Sequence, residues 1–517
     1  MSVNTDKAKS RPLGVAEALV KHSIDKAAAY SKVVVLTGER EVLLTANGRW
    51  CFLDALALLS RVVGTLIVVL PEGTTELEAE ARSYCARAWS LGSLTVIPDN
   101  GTIPLKSVNA ILNIGTKVMP SLPWTAVNSN GWVARVSSGN ETLPGDVGQA
   151  NPVAALMAAS LGVAEVFKRV FDVPNDVAPL LQKTELSLFE QTTSPTSIGP
   201  LLPDKIRIPD ALLIGAGAIG NGIALLFSQL PLCGRVHVID KQDYADENLG
   251  TCILVEPTGW LGHSKAERLA SWLQQNSELR VTGEKALIES AKSGPIIAGL
   301  AVDLVLNGLD DVEARHAAQD LWPAVIIDGG INEVGAAVTQ YRLDHEDQAC
   351  LKCWFEPPKL DERALQSRLT GLATTSLNDM NRLLTDDDIE QSSEHKRDWL
   401  QEQRKKGKAL CSIISEATLA SRFGVDVEEG FRPSAPFVAT AAAAMVLAEA
   451  VKSLEFPLDR VASVFHIGNL FLGPEESAIK LNRSPSSGCQ CLVHRKNILI
   501  LAKLRTERSR ASRTEST

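Results

Sequence analysis

The chain has 517 residues, of which 45% are hydrophobic, and a formal net charge of −9. This length predicts two or three domains with sizeable cores, and the negative charge argues against nucleic acid as the main partner. No run has the roughly 18–20 uncharged apolar residues that a membrane-spanning helix needs, and the polar N-terminus lacks a secretory signal. We therefore expect a cytoplasmic protein whose nine cysteines are buried, metal-bound or catalytic rather than paired in disulfides.

The first third of the chain predicts an α/β domain. One or two amphipathic helices are expected before residue 32, and three apolar strands follow, beginning at Lys32, Leu66 and Ala110, with helical stretches between them. Residues 37–40, which follow the first strand, have neither the repeated glycines nor the neutrality that a phosphate-binding loop requires.

Two alanine-rich stretches, residues 152–165 and 436–449, have the same length and character, and each precedes a lysine by three residues, Lys168 or Lys452. Neighbouring segments correspond in the same order, residues 112–115 with 306–308 and residues 123–131 with 323–330. This pattern predicts a diverged duplication. The first copy lacks a glycine loop and an acidic residue at the end of its second strand, so it is predicted to have kept the fold and lost the site.

Three spaced glycines, Gly215, Gly217 and Gly220, stand at the start of the second copy, between a predicted buried strand and a predicted helix. Glycine lets the backbone turn tightly and approach a ligand, and the helix that follows offers free amide groups to an anion. The next apolar strand ends in Asp240, at about the separation at which an acidic residue meets a ribose. The pattern indicates a nucleotide site.

Further candidate nucleotide ligands follow in order. They are Asn248, Lys265 and the acidic pair Asp310 and Asp311. An asparagine can hold a phosphate or ribose oxygen, a lysine neutralises phosphate charge, and an aspartate beside a triphosphate suits Mg²⁺.

This ordered set resembles the adenylating enzymes that include the ThiF proteins, the molybdopterin-synthase activators and the ubiquitin-activating enzymes, over about residues 208–492. The resemblance rests on the glycine loop, Asp240, residues 248–249, Lys265 and residues 310–315. It implies that ATP and Mg²⁺ activate the C-terminal glycine carboxylate of a ubiquitin-fold protein as an acyl adenylate, with release of pyrophosphate. Lys265, and Mg²⁺ held by Asp310, would stabilise the charge that develops on the phosphates.

Two positions depart from the family pattern. The family usually has an arginine three positions after the asparagine, where this chain has Thr251, and a second acidic residue two positions after the first, where it has Gln242. The first departure leaves one positive charge missing beside the phosphates. No arginine near the N-terminus can be assigned from the sequence to reach across into the site.

Four cysteines in two close pairs predict a metal centre. Cys350 and Cys353 are separated by two residues, and Cys489 and Cys491 follow much later. Together they supply the four thiolates that a closed tetrahedral Zn²⁺ site needs, and the alternative is two unrelated buried or redox-active pairs. The resemblance implies a structural zinc site at this set, which would tie the end of the chain to the nucleotide domain.

The chain turns polar and charged over residues 359–432, which we interpret as an insertion in the second copy. A helix is expected over residues 386–406, with Thr385 as its N-cap and Gly407 just past its end. Cys411 follows three nearby lysines, an environment that lowers a thiol pKa, although a small buried apolar residue is the alternative. The resemblance places the acyl-accepting cysteine in this segment.

The sequence thus predicts an α/β fold with two Rossmann-like adenylation-type domains in tandem, the first degenerate and the second active, and a helical cysteine-bearing insertion. The expected boundaries are an inactive domain at residues 1–180, a linker at 181–207, the active domain at 208–358 and 433–495, the insertion at 359–432 and a basic tail at 496–517. We expect its most basic part, residues 503–513, to be a solvated, disordered end.

The favoured function is ATP-dependent activation of a ubiquitin-like protein, with thioester formation on Cys411 and transfer to a ubiquitin-conjugating-type enzyme. ThiF-like enzymes are typically homodimers of active domains, whereas ubiquitin-activating enzymes pair an inactive domain with an active one. The chain is therefore expected to be an internal pseudo-dimer, with further homodimerisation open. With no ubiquitin-fold domain expected after the second copy, this combination resembles the activating enzymes of bacterial ubiquitin-like systems, including the Bil-type antiviral operons.

Three alternatives remain. A sulfur-carrier adenylyltransferase for thiamine or molybdopterin synthesis would form an acyl adenylate without a stable thioester on Cys411. An NAD-dependent oxidoreductase would use the glycine loop and Asp240 but leave Lys265, Asp310 and the zinc cysteines without a role. A non-enzymatic scaffold is disfavoured because the second copy retains its acidic and glycine residues.

Overall fold

The computed structural model describes most of the chain in two compact units, Met1–Phe355 with Arg432–Thr517 and Glu356–Phe431. The described residues are 5–20, 24–98, 107–292, 294, 297, 300, 302–309, 311–332, 334–355, 362–378, 382–410, 413–414, 417, 434–456 and 462–514. Each unit is considered separately below.

The larger unit begins with the elements of a first sheet. Its strands are β1 (Val33–Gly38), β2 (Thr65–Leu70), β3 (Ser93–Pro98), β4 (Ala110–Ile114), β5 (Trp124–Asn130), β6 (Val133–Ser137) and β7 (Lys183–Ser187). The helices of this part are α1 (Thr5–Val20), α2 (Lys26–Ser31), α3 (Arg40–Leu43), α4 (Ala46–Leu59), α5 (Thr75–Arg87) and α6 (Pro152–Val170).

A second sheet follows in the same unit. Two short strands, β8 (Ile206–Arg207) and β10 (Leu232–Cys233), pair with each other, as a parallel two-stranded ladder outside this sheet. The strands of the second sheet up to residue 355 are β9 (Ala211–Ile214), β11 (Arg235–Asp240), β12 (Arg280–Lys285), β13 (Leu304–Asn307), β14 (Val325–Ile331) and β15 (Ala336–Arg342). The helices between them are α7 (Ala218–Gln229), α8 (Lys265–Asn276), α9 (Ile288–Ala291), α10 (Val312–Gln319) and α11 (Leu351–Trp354).

The smaller unit contains α12 (Glu362–Thr370), α13 (Asp386–Glu390) and α14 (Arg397–Lys405). Thr385 and Asp388 cap α13 reciprocally, and Gly407, with a φ of +64°, follows α14. Both predicted caps are confirmed. The single helix predicted over residues 386–406 is wrong, because the chain leaves the helix after Glu390 and the amide of Ser393 donates to the carbonyl oxygen of Gly371 at 2.9 Å.

The chain returns to the larger unit with α15 (Pro436–Glu455), β16 (Val464–Ile467), α16 (Pro474–Ser477), β17 (Ala478–Leu481), α17 (Gln490–Val493) and α18 (Arg495–Thr514). The disorder expected of residues 503–513 is therefore wrong, because α18 continues through them. Ile498 is buried in the core of the second sheet, and the Arg505 guanidinium donates to the carbonyl oxygen of Leu321.

The two sheets share their strand order and direction. The first runs β3-β2-β1-β4-β5-β6-β7 and the second runs β12-β11-β9-β13-β14-β15-β16-β17. In each, the first five strands in this order are parallel and the later ones antiparallel. The central strands β4, β9 and β13 are buried along their whole length, as in a Rossmann-like sheet covered by helices on both faces.

Helices α6 and α15 are buried along most of their length and contact each other. Each begins with a proline, whose missing amide costs nothing at the first helical position. The hydroxyl groups of Ser160 and Thr440 share a hydrogen bond of 2.8 Å between the two helices. Each helix also holds a buried ion pair between residues three apart, Glu165 with Lys168 and Glu449 with Lys452.

Among the described helices, α15 alone is long and apolar enough to cross a membrane by length and composition, and 89% of its apolar window is buried inside the protein.

Candidate functional site

The three glycines form the turn between β9 and α7. Gly215 adopts a φ of +92°, which favours glycine, and Gly217 is the N-cap of α7. A Cβ atom at Gly220 would lie 2.0 Å from the carbonyl oxygen of Gly215, so only glycine lets the first turn of the helix pack this closely on the loop. The amide groups of that first turn are available to an anion.

Replacing Gly220 with alanine is expected to lower the free energy of unfolding by about 1–3 kcal/mol, because the added methyl group overlaps the Gly215 carbonyl oxygen. Denaturant unfolding measures the loss. Gly217→Ala is the matched control, since no atom of the described residues lies within 4 Å of its Cβ position, and its stability should be unchanged. Equal losses in both variants would contradict the close packing of α7 on the turn.

Asp240 joins the end of β11 to the glycine loop. Its Oδ2 accepts a hydrogen bond of 2.8 Å from the Ala216 amide, and its Oδ1 accepts one of 2.8 Å from the Gln242 amide. The Tyr244 hydroxyl donates to the carbonyl oxygen of Ala216 at 2.9 Å, which ties the loop to the same segment. The carboxylate is thus held beside the loop, and its contact with a ribose stays a prediction.

Lys265 is the first residue of α8 and is only 6% exposed. Its Nζ donates to the Oε1 of Gln242 at 2.7 Å, and its amide donates to the Gln242 carbonyl oxygen at 2.9 Å. A continuous set of hydrogen bonds therefore runs from the glycine loop through Asp240 and Gln242 to Lys265. The structure brings together these three predicted elements of the nucleotide site.

Asn248 lies in a short 3-10 segment, Asp246–Gly250, and is 6% exposed. Its Oδ1 accepts a hydrogen bond of 2.9 Å from the Ala245 amide, so the side chain stabilises its own loop. Helix α1 packs on this segment, where a Cβ atom at Gly250 would lie 2.1 Å from the carbonyl oxygen of Ala8. The N-terminal helix α1 therefore packs directly against the loop that carries Asn248.

One arginine from the first part of the chain, Arg61, reaches this loop, although no motif in the sequence marks it. Arg61 is fully buried and donates to the carbonyl oxygens of Cys252 at 3.1 Å and Val255 at 2.9 Å. Burial raises the pKa of the Cys252 thiol, and the positive charges of Lys265, Arg11 and Arg61 partly offset that rise. Arg61 therefore holds the backbone at Cys252 and Val255, next to Thr251.

Asp310 and Cys411 both lie outside the described residues, so their predicted roles stay predictions. Asp311 is the N-cap of α10, and its carboxylate accepts a hydrogen bond of 2.8 Å from the Ala314 amide.

Arg315 on α10 forms a buried ion pair of 3.0 Å with Asp328, the middle residue of β14. Asn307 also donates to Asp328. Burial raises the pKa of Asp328 to about 6, although Arg315 and Asn307 act to lower it. This pair ties α10 to the middle of β14.

Cys350, Cys353, Cys489 and Cys491 meet in space, with all four sulfur atoms within 4.8 Å of one another. The Sγ of Cys350 lies 3.8 Å from that of Cys353 and 3.5 Å from that of Cys489, and Cys353 lies 3.6 Å from Cys491. Tetrahedral Zn–S bonds of about 2.3 Å place sulfurs about 3.8 Å apart. The cluster therefore has the size that zinc requires, and its sulfurs are too far apart for disulfides of about 2.05 Å.

The backbone around the cysteines supports the same interpretation. Cys350 and Cys489 are the N-caps of the short helices α11 and α17, so each pair is presented by the same local structure. The Ser486 amide donates to the Sγ of Cys353 at 3.3 Å, as amides do to metal-bound thiolates. Hydrogen bonds with Cys353 and Cys491, together with burial, raise the pKa of the Cys350 thiol. Holding all four sulfurs as thiolates would therefore require a bound cation.

Two family models match the chain. The ThiF family model matches residues 190–490, which is more than half of the sequence. The chain belongs to the ThiF family. The model of the BilD N-terminal domain matches residues 33–187, the part that contains the first sheet. ThiF enzymes are adenylating enzymes that use ATP and Mg²⁺.

Three similar solved structures are of Escherichia coli MccB, each 15% identical to the chain. MccB with MccA-N7isoASN has a TM-score of 0.33 and aligns with 55% of this chain and 67% of its own. MccB with AMPCPP and selenomethionine MccA has a TM-score of 0.32 and aligns with 54% and 66%. MccB with selenomethionine MccA has a TM-score of 0.32 and aligns with 55% and 66%. No curated protein sequence matches significantly.

A cavity of about 830 Å³ in this ThiF-family chain lies away from the glycine loop. Its lining includes Arg207, Asp210, Cys233 and Arg280, which precede or begin the strands of the second sheet. Nucleotides bind at the carboxyl ends of parallel strands, where the glycine loop and Asp240 lie. The cavity is at the opposite, amino end and is not the candidate nucleotide site.

Proposed function

We propose that the protein activates a ubiquitin-like protein with ATP and then holds it as a thioester on Cys411 for transfer to a ubiquitin-conjugating-type enzyme. The observation that carries the proposal is the hydrogen-bonded set of glycine loop, Asp240, Gln242 and Lys265 within a ThiF-family chain. The match of the first part to the BilD N-terminal domain supports a bacterial ubiquitin-like system.

In the first step, a carboxylate oxygen of the substrate's terminal glycine attacks the α-phosphorus of ATP. The bond from that phosphorus to the oxygen bridging to the β-phosphate breaks, and pyrophosphate leaves. The Lys265 ammonium and the amides of the first turn of α7 stabilise the phosphate charge. Asp310 would hold Mg²⁺, which when bound supplies further positive charge to the phosphates.

In the second step, the Cys411 thiolate attacks the acyl carbon of the adenylate, and AMP leaves as the C–O bond to the phosphate breaks. The thiol proton is lost to solvent before the attack. The thiol of the conjugating enzyme then takes the acyl group by the same chemistry. Adenylation depends on positioning and charge, whereas this step requires a nucleophilic sulfur.

We propose that the two sheets are a diverged duplication that forms an internal pseudo-dimer. The shared strand order supports this, and so do the equivalent ion pairs in α6 and α15. In the first copy the Glu39 carboxylate accepts hydrogen bonds of 2.7 Å from the amides of Thr116 and Lys117, at the carboxyl ends of β1 and β4. A carboxylate of the protein thus occupies the region where the second copy would bind phosphate.

The proposed domain boundaries change in one place. The interval 181–207, predicted as a linker, contains β7, which pairs with β6 along its whole length. We therefore propose that the inactive domain extends to Ser187 and that the linker follows it. The active domain, the insertion at 359–432 and the zinc pair keep their predicted positions.

The four clustered cysteines are proposed to bind structural Zn²⁺ that joins α11 to α17.

The test compares wild type with Asp310→Ala and Cys411→Ala, using a ubiquitin-like protein encoded in the same operon. Wild type should catalyse ATP–pyrophosphate exchange and form an adduct that reducing agent removes. Asp310→Ala should lose both, and Cys411→Ala should keep exchange but lose the adduct. Unchanged exchange in Asp310→Ala contradicts the adenylation proposal, and a wild type that exchanges without any adduct points to sulfur-carrier activation.

A further inference from the structure

Lys265 is a buried ammonium whose partner is neutral. Among the described residues, the Oε1 of Gln242 is the one hydrogen-bond acceptor of its Nζ, and no carboxylate lies within 4.0 Å. An ammonium has three N–H donors. The Gln242 amide therefore holds the group in place, while the other donors and the positive charge can interact with a bound anion. Burying such a charge without a counter-ion is costly unless an anion completes the site.

The neighbouring carboxylates are engaged elsewhere. Asp243, the next residue after Gln242, pairs with Lys285 on β12 at 2.6 Å. Both carboxylate oxygens of Asp240 accept hydrogen bonds from backbone amides. Both carboxylates nearest to Gln242 in the sequence therefore have partners other than the Lys265 ammonium.

Thr251 adds no positive charge to that of Lys265. The side chain is 2% exposed, and its hydroxyl lies 3.4 Å from the carbonyl oxygen of Glu247 in its own loop. With the family's arginine absent, each remaining positive charge matters more for binding a triphosphate. A glutamate or aspartate at position 242 would neutralise the buried lysine in competition with the phosphates.

We propose that Gln242 is a positioning residue that orients the Lys265 ammonium and leaves its charge available to the phosphates, and that this offsets the missing cation at Thr251. The inference rests on the proposed function, because it assigns ATP phosphates as the anion. The two departures from the family pattern are thereby coupled, one removing a positive charge and the other a negative charge. The net charge presented to the phosphates is conserved.

The test measures the affinities of ATP and of adenosine separately. Gln242→Glu is expected to weaken ATP binding about fivefold to tenfold, because a partly screened carboxylate then competes for the ammonium. Adenosine, which has no phosphate, should bind within about twofold of wild type. Calorimetric titration of the full-length protein with each ligand gives both constants, and thermal unfolding checks that the variant is folded.

Two further variants make the result specific. Gln275→Glu adds the same charge at an exposed position near the other end of α8 and should leave ATP affinity unchanged. Gln242→Ala removes the orienting amide without adding charge, and should weaken ATP binding less than Gln242→Glu does. This order distinguishes neutralisation from loss of orientation.

The inference is overturned if Gln242→Glu binds ATP as wild type does, or if it weakens ATP and adenosine equally, which would indicate a merely structural role. A wild type that binds neither ligand and catalyses no exchange contradicts the proposed function instead. The two failures are therefore distinguishable.

Discussion

An Arg315→Met variant is expected to unfold with a free energy about 3–5 kcal/mol lower than that of the wild type at pH 7.5. The change leaves Asp328 buried without its partner, and a buried carboxylate cannot recover its hydration. The guanidinium also lies 4.3 Å from the centre of the Phe355 ring, so its removal loses packing as well. Urea unfolding followed by circular dichroism measures the difference.

The matched control is the double variant Arg315→Met with Asp328→Asn, which removes both charges and should recover much of the loss. The cost of Arg315→Met should also depend on pH. The pKa of Asp328 is raised to about 6 in the folded protein. The contribution of its protonation to the free energy of unfolding is therefore fully present below the unfolded pKa of about 4, and it is lost as the pH rises through 6.

Without Arg315 that pKa rises further, so the variant loses more stability at pH 8 than at pH 4.5. A loss that is the same at both pH values, and unchanged in the double variant, would show that Arg315 acts only through packing.

Five of the parallel strands, β1, β2, β4, β9 and β11, were predictable because they are short and largely buried runs of apolar residues. Such runs can be recognised without knowledge of the strands that pair with them. β7 was missed, since its sequence Lys-Thr-Glu-Leu-Ser is polar and it becomes a strand only by pairing with β6. The residues of β7 alone do not indicate that it pairs with β6.

The helical errors have the same origin. The break after Glu390 depends on a hydrogen bond between Ser393 and Gly371, which no periodicity within residues 386–406 can indicate. Helix α18 looked like a solvated basic tail because its charges dominate its composition. Ile498 and Arg505 instead make contacts with the second sheet, and tertiary packing stabilises the helix.

In the candidate site too, the residues that belong to local patterns were predictable, and those that depend on tertiary contacts were not. The glycine turn and the strand that ends in Asp240 are local patterns, and the structure brings them together with Lys265. Arg61 could not have been found, because its carbonyl partners lie 191 and 194 positions further along the chain. Gln242 was noticed only as a departure, and its role depends on the Lys265 side chain that it contacts.

The four-cysteine cluster is expected to have a large effect on metal content and stability. Cys353→Ser is expected to lose the bound metal, which wild type should hold as one zinc ion per chain by elemental analysis. Removing the metal removes the stabilisation that binding provides, about 4 kcal/mol when free zinc is about 1,000 times its Kd. The loss is expected because α11 and α17 are each too short to be stable without the link between them.

Cys233→Ser is the matched control, since this half-buried thiol lies outside the four-sulfur cluster and should be dispensable for metal and stability. A strong chelator should lower the melting temperature of wild type and of Cys233→Ser but not that of Cys353→Ser, which has no metal to lose. Wild type that carries no metal, or that contains disulfides between these cysteines when purified without reductant, would contradict the zinc assignment. In the zinc-bound protein the four sulfurs are thiolates shared by one ion, so thiol reagents should label Cys233 and spare the cluster until the chelator is added.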